Sequence, residues 1–389
     1  MTEFLLRRFV PNYQDVQSPE VRERCGALSG ITGILLNVLL CMGKFIAGLL
    51  TGAVSVTADA FNNLSDAASS LVTLVGFHMA GQAADRDHPY GHGRMEYLAG
   101  LAVSAAILLV GVELAKGALE KILRPEAVHF SWLSVGILCA SIAVKLWMYL
   151  FNRSLSRRIS SAAMAATAAD SLSDCVATGA VLLGLLVSHF AQVSIDGWVG
   201  VVVAAFVLRA GWEAAKDTID PLLGKAPDPA LVEGIRQTVL SHPEIAGVHD
   251  LMVHDYGPGH VMASLHAEVS IDADMAATHD IIDNVERELA QKYRLIATIH
   301  MDPIVTDDAH INAVRSEILA LAQQIDPAMT LHDFRMTAGP SHTNLIFDVV
   351  APHSCPLSDE EIRRELSRLA REKDPKYMTV VQVDHSFVD

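Results

Sequence analysis

Six apolar stretches follow one another through the first half of the chain, at 28–50, 54–79, 97–119, 132–151, 161–187 and 197–214. Each comes near the ~20 residues that an α-helix needs to cross the hydrocarbon core of a bilayer. The pattern predicts six transmembrane helices within residues 27–224, preceded by a polar segment over 1–26. At Gly224-Lys225-Ala226-Pro227-Asp228-Pro229 the pattern breaks. Beyond it, 231–241 reads as an amphipathic helix, 248–256 and 261–271 as strands, 275–292 as a helix and 297–304 as a strand. That αββαβ order predicts a small two-layer α+β domain of ferredoxin-like or metallochaperone-like type over 225–305. The order then returns: a helix at 311–324, strands at 330–337 and 343–350, a helix at 358–372 and a strand at 377–385. Val248-His249-Asp250-Leu251 aligns with Leu331-His332-Asp333-Phe334, and Gly257-Pro258-Gly259-His260 with Gly339-Pro340-Ser341-His342. Residues 306–389 are therefore expected to be a second copy of the same fold.

Composition strengthens the membrane reading. Of 389 residues, 51% are hydrophobic and 19% charged, too apolar and too poor in charge for an ordinary soluble protein of this size. The net charge of −16 argues against a nucleic-acid partner. Residues 1–23 are polar and lack the apolar core of a signal peptide. Cys25, Cys41, Cys139, Cys175 and Cys355 lie far apart with no CxxC pair, which argues against a thiolate zinc site and a disulfide framework. Arg7, Arg8, Arg22 and Arg24 precede the first stretch, Arg86 and Arg94 follow the second, and Arg153, Arg157 and Arg158 follow the fourth. The other side has only Lys121 and Arg124. By the positive-inside rule both termini are expected in the cytoplasm, with the chain a multi-pass protein of the cytoplasmic (inner) membrane.

The chemistry starts from carboxylates inside apolar helices. Asp170 and Asp174 stand four apart in the fifth stretch, on one helix face. Each costs about 3 kcal/mol in a bilayer even on lenient insertion scales, so the pair calls for a compensating cation. Asn62 and Asp66 have the same spacing in the second stretch. Together Asn62, Asp66, Asp170 and Asp174 make a candidate four-ligand cage, with Asp59 in reserve. The set holds neither His nor Cys. Carboxylate and amide oxygens suit harder cations such as Mn2+, whereas imidazole and thiolate favour zinc and copper. The structural alternative is that Asn62 and Asp66 hydrogen-bond neighbouring helices.

With six spans, i, i+4 polar pairs in spans two and five, the loop Asp85-Arg86-Asp87-His88-Pro89-Tyr90-Gly91-His92-Gly93-Arg94 and a cytosolic αββαβ domain, the chain resembles the cation diffusion facilitator transporters. The resemblance covers about 22–303; the last unit extends beyond the usual family length. It implies a homodimeric secondary transporter, not an enzyme, that exports a divalent transition metal from the cytoplasm in exchange for protons. The transport site would be Asn62, Asp66, Asp170 and Asp174. Zinc-transporting members commonly have His at one of these places, and the oxygen-only set looks like the manganese branch, with Fe2+, Co2+ or Zn2+ as alternative cargo. No prosthetic group is implied. A second metal site would use Asp85, His88 and His92, and Arg94 would pair with Asp220 at the dimer centre. His249, His266, His279, His300 and Asp302 fall where the family places regulatory metal ligands in the cytoplasmic domain.

In the last unit Asp348 stands where the first has His266, and the offset puts Val383 at the place of His300. His332, Asp333, Asp384 and His385 remain as polar candidates, in a unit expected first to pack or dimerise and second to sense metal. Two other functions compete. One is a membrane-bound metalloenzyme using His249, His266 and His300, against which stands the absence of HExxH and GxSxG motifs. The other is a membrane-anchored metal sensor.

Overall fold

The computed structural model describes residues 2–16, 18–51, 54–123, 131–191, 196–305, 307–339 and 341–386. The chain divides into two compact units. The first holds residues up to Lys225 with Tyr256–His260, and the second holds Ala226–Asp255 and the residues from Val261 on.

The first unit is helical. A short α1 (Thr2–Phe9) precedes six long helices: α2 (Pro19–Thr51), α3 (Val54–Ala80), α4 (Met95–Leu123), α5 (Trp132–Ile159), α6 (Ala162–Ala191) and α7 (Asp196–Leu222). Among the described residues, five of these are long and apolar enough to cross a membrane, namely α2, α4, α5, α6 and α7. The helix α3 has similar length but carries Asn62, Asn63, Ser65 and Asp66, so length alone does not class it with the other five. The principal packings are α2 on α3, α4 on α7 and α5 on α6, with α6 also against α4 and α7.

Small residues let these backbones approach, since apolar side chains gain little from leaving lipid for one another. A Cβ on Gly26 of α2 would sit 2.1 Å from Phe77 Cγ of α3, and one on Gly100 of α4 would sit 2.9 Å from Ala163 Cα of α6. Phe77, Phe151, Leu155 and Met164 are buried together with Leu6 of α1. Arg22 is buried as well. Its Nη2 reaches Glu96 Oε1 and Oε2 at 3.0 and 3.1 Å, and its Nη1 donates to the Ile159 carbonyl, tying α2 to α4 and α5.

The second unit contains α8 (Pro229–Leu240), β1 (Ile245–Asp255), β2 (Val261–Ser270), α9 (Met275–Tyr293), β3 (Leu295–Ile304), α10 (Ala309–Ile325), β4 (Thr330–Ala338), β5 (Thr343–Ala351), α11 (Asp359–Lys373) and β6 (Tyr377–His385). Carboxylates start the helices where the sequence offers them. Asp228 accepts from Ala230 N at 2.9 Å, Asp274 from Ala277 N at 2.9 Å and Asp308 from His310 N at 2.8 Å. Ser358 and Glu361 form a reciprocal capping box on α11.

Two three-stranded sheets result, β1-β2-β3 and β4-β5-β6, each with an antiparallel first pair and a parallel second pair. Leu265, Val285 and Leu289 lie in the core of one half, and Leu345, Phe347 and Leu366 in that of the other.

The register aligns His249, His266 and His300 across the first sheet, and His332, Asp348 and Gln382 across the second. Gln382 rather than Val383 therefore occupies the place of His300, and Asp384 the place of Asp302. Carrying the spacing between His249 and His332 on to His300 leads to Val383; hydrogen-bonded pairing moves the place by one residue, which reverses the face a side chain points to. Both first strands also bulge just after their histidines, between His249 and Met252 and between His332 and Arg335. Asp250 and Asp333 occupy the left-handed region there, with φ of 50° and 52°. Aspartate enters that region more readily than most residues.

Candidate metal centres

The first centre lies among the helices of the first unit. Asp66 on α3 and Asp170 and Asp174 on α6 each bring a carboxylate oxygen to within 4.8 Å of the others. The i, i+4 spacing stacks the two α6 residues, and contact of α3 with α6 supplies the third. Thr73 and Thr167 fasten those helices with a 3.0 Å hydrogen bond between their hydroxyls. The Asn62 side chain is exposed, one position from the buried Asn63. The side chain of Asp59 lies outside the described residues.

One member of this centre was not anticipated. Lys145 on α5 is 3% exposed, and its Nζ donates to Asp66 Oδ2 at 2.6 Å and to Asp174 Oδ2 at 2.5 Å. An ammonium thus bridges carboxylates from two helices, at oxygens a divalent cation would also use. The signal was present in the sequence as a lone lysine in the middle of the stretch 132–151, where a cation is as costly as an anion.

In the loop between α3 and α4, the structure gathers Asp85, His88 and His92. His88 Nδ1 is 3.4 Å from Asp85 Oδ1, His92 Nε2 is 3.6 Å from Asp85 Oδ2, and the two rings lie 4.4 Å apart. The backbone N–H groups of His88 and Asp87 donate to Asp85 Oδ1 at 2.7 and 2.9 Å. Chiefly the His88 N–H holds the Asp85 carboxyl below its usual range. An ionised carboxylate beside two imidazoles could hold a metal ion. Within the same unit the Arg94 guanidinium lies 4.7 Å from the ring centroid of Tyr256, and Asp220 is in the last turn of α7.

The second unit holds a third group. Asp302 Oδ2 is 2.8 Å from His266 Nδ1 and 3.1 Å from His249 Nε2, and Asp302 Oδ1 is 3.3 Å from His300 Nε2. His249 is almost fully buried, yet neither ring nitrogen makes a hydrogen bond of good geometry, although Nδ1 is 3.3 Å from Asp250 Oδ2. Burial opposes charge on His249, but Asp250, then Asp333 and Asp302, outweigh it and raise its titration above the usual range. Orphaned buried imidazole nitrogens around a shared carboxylate fit a bound metal. His279 is not part of the group. The helix α9 turns Thr278, Ile282, Val285 and Leu289 inward and leaves His279 exposed on its outer side. The five cysteines are all free, and none belongs to a centre gathered among the described residues.

A multi-pass helical unit with a carboxylate centre, joined to an α/β unit with histidine centres, describes a membrane transporter of metal cations. Comparison with known proteins gives the family. The cation efflux transmembrane domain matches residues 30–223, and the cytoplasmic domain of cation efflux proteins matches residues 227–304. An uncharacterized transporter of Methanocaldococcus jannaschii is 31% identical over 265 residues, which is 68% of this chain and 91% of the relative. The manganese efflux system protein MneS of Bacillus subtilis is 25% identical, covering 72% of this chain and 96% of its own length. The cation-efflux pump FieF of Cronobacter sakazakii is 29% identical, covering 71% and 92%. This chain belongs to the cation diffusion facilitator family, whose members move divalent metal cations and are transporters rather than enzymes.

Proposed function

We propose that this protein exports Mn2+ from the cytoplasm in exchange for protons. The observation that carries the reading is the convergence of Asp66, Asp170 and Asp174 to within 4.8 Å inside the helical unit. Every acidic ligand there is an oxygen donor, which suits Mn2+ better than the softer cations. MneS, a relative covering most of this chain, carries manganese efflux in its name. Carboxylates that release a cation into an apolar setting take up protons in its place, so the ligands themselves couple the two fluxes. Lys145 fits the same cycle. Its ammonium compensates Asp66 and Asp174, and an arriving divalent ion would displace it.

The remaining assignments belong to this reading. The helix α3 makes the sixth crossing, its polar face turned from lipid toward the ligands. Both termini are cytoplasmic, and the membrane is the inner membrane. The protein acts as a homodimer, with Arg94 and Asp220 paired at its centre, and Asn62 joins the transport ligands when metal is bound. Asp85, His88 and His92 form an accessory site, and the His249, His266, His300 and Asp302 group binds a regulatory metal. The α+β domain of residues 225–305 is duplicated in residues 306–389.

Flux measurements in proteoliposomes test the proposal, with Mn2+ and Zn2+ supplied separately and internal pH followed by a trapped dye. Mn2+ is expected to drive the larger proton flux, and Asp66→Ala, Asp170→Ala and Asp174→Ala to abolish it. Preference for Zn2+ would overturn the choice of metal. Normal flux in any one variant would remove that residue from the site.

A further inference from the structure

His332 is the starting point. It is 4% exposed, and neither of its ring nitrogens has a hydrogen-bond partner. A buried imidazole with both nitrogens unsatisfied loses the hydration of two polar atoms and receives nothing in exchange. Its surroundings explain the arrangement only if something is bound there. One nitrogen of His332, one oxygen of Asp333 and one of Asp348 lie within 4.8 Å of one another. From the other half of the unit, Asp250 Oδ1 is 3.8 Å from His332 Nε2.

The geometry is that of a pseudo-symmetric pair. His249 and His332 hold matching places, one residue before matching left-handed aspartates at matching bulges, and their rings stack at 4.1 Å between centroids. The strand registers match the His249, His266 and Asp302 group to the set His332, Asp348 and Asp384. The bulge lets two consecutive residues, His332 and Asp333, serve one site where a regular strand would send them to opposite faces.

We propose that His332, Asp333 and Asp348 bind a divalent first-row cation, with Asp384 and Asp250 beside them, as a second metal centre in the last 84 residues of the chain. One imidazole among carboxylates makes this centre richer in oxygen than its partner, where histidines stand at the places of Asp348 and Gln382. It therefore accepts Mn2+ more readily than the histidine-rich centre does. Burial, and then the negative charges of Asp384, Asp333 and Asp250, push the Asp348 carboxyl up to about 6. Burial, and then charge on His249, hold His332 below the usual range. A cleft of about 1070 Å3, lined by His249, Asp250, Glu268, Arg315 and His332 among others, gives a route in.

Equilibrium dialysis of the full-length protein in detergent, with Mn2+ as the probe, tests the assignment. Asp348→Asn and His332→Gln are each expected to bind one Mn2+ fewer per chain than wild type, while His266→Ala keeps that ion. Asp348→Asn changes a half-buried residue isosterically, so it decides the question if His332→Gln fails to fold. Unchanged Mn2+ stoichiometry in folded Asp348→Asn would overturn the proposal, as would loss of the same ion in His266→Ala. Proton flux driven by Mn2+ is measured on the same variants, so failure of this centre is separable from failure of the transport reading.

Discussion

Replacing Lys145 by Met would show whether the ammonium competes with the cargo. Nζ makes charged hydrogen bonds of 2.6 and 2.5 Å to Asp66 and Asp174, and the side chain is buried. A divalent ion on those oxygens cannot share them with an ammonium, so metal binding includes breaking both contacts. Removing one partner of a buried ion pair costs about 3–5 kcal/mol, because the other charge is left uncompensated. With methionine that cost falls on the metal-free state alone, since bound Mn2+ compensates the carboxylates itself. At the low end, about 3 kcal/mol at ~1.4 kcal/mol per decade, Mn2+ should bind on the order of 100-fold more tightly. Release slows in proportion, so turnover in proteoliposomes should fall although affinity rises. Calorimetric titration of Mn2+ into detergent-solubilised Lys145→Met gives the affinity. Thermal denaturation should show a lower metal-free Tm and a larger rise with Mn2+ than in wild type. Affinity equal to or weaker than wild type in a folded variant would refute the competition.

Two further outcomes test the helical unit. Glu96→Gln leaves the buried Arg22 guanidinium without its anion and should destabilise the unit by about 3–5 kcal/mol, whereas Arg22→Met with Glu96→Leu should recover most of the loss; denaturation in detergent reads both, and equal losses would show that the charge pair is not the cause. Gly26→Ala places a methyl 2.1 Å from Phe77 and should cost about 1–3 kcal/mol; adding Phe77→Ala should give less than the summed losses, and strict additivity would refute the contact.

Much of this architecture was legible because periodicity reports burial. Six long helices lie where the apolar stretches do, five of them apolar enough to cross a membrane among the described residues, and ten elements follow with small shifts at their ends, since each element's apolar residues must face a core or lipid. The i, i+4 pair Asp170 and Asp174 was legible for the same reason. What periodicity cannot give is which helix faces which. Asn62 and Asp66 share a face by spacing, yet the side chain of Asn62 is exposed while Asn63 is buried. Lys145 is a single cation in its stretch, and it becomes meaningful only when α5 brings it to the carboxylates. The bulges after His249 and His332 depend on a backbone angle at Asp250 and Asp333 that no spacing rule encodes. The register at Gln382 turns instead on the connection between the paired strands, which runs from Asp255 to Val261 in one sheet and, one residue shorter, from Ala338 to Thr343 in the other.

The two halves of the α/β unit differ where their packing allows it. His249 and His332 are almost fully buried and stacked on each other, with side chains only 7% and 5% exposed. Changing either one would open a void beside the other, so their stacking contact holds both positions to one residue type. The flanking ligand positions are freer. His266 and His300 are 36% and 67% exposed, and at their places the second half has Asp348 and Gln382. Exposed ligands can change chemistry without disturbing a core, and donor hardness chooses among first-row cations. On the proposed reading, the geometry of each centre is thus set at the His249–His332 contact, and its metal preference at the flanking positions.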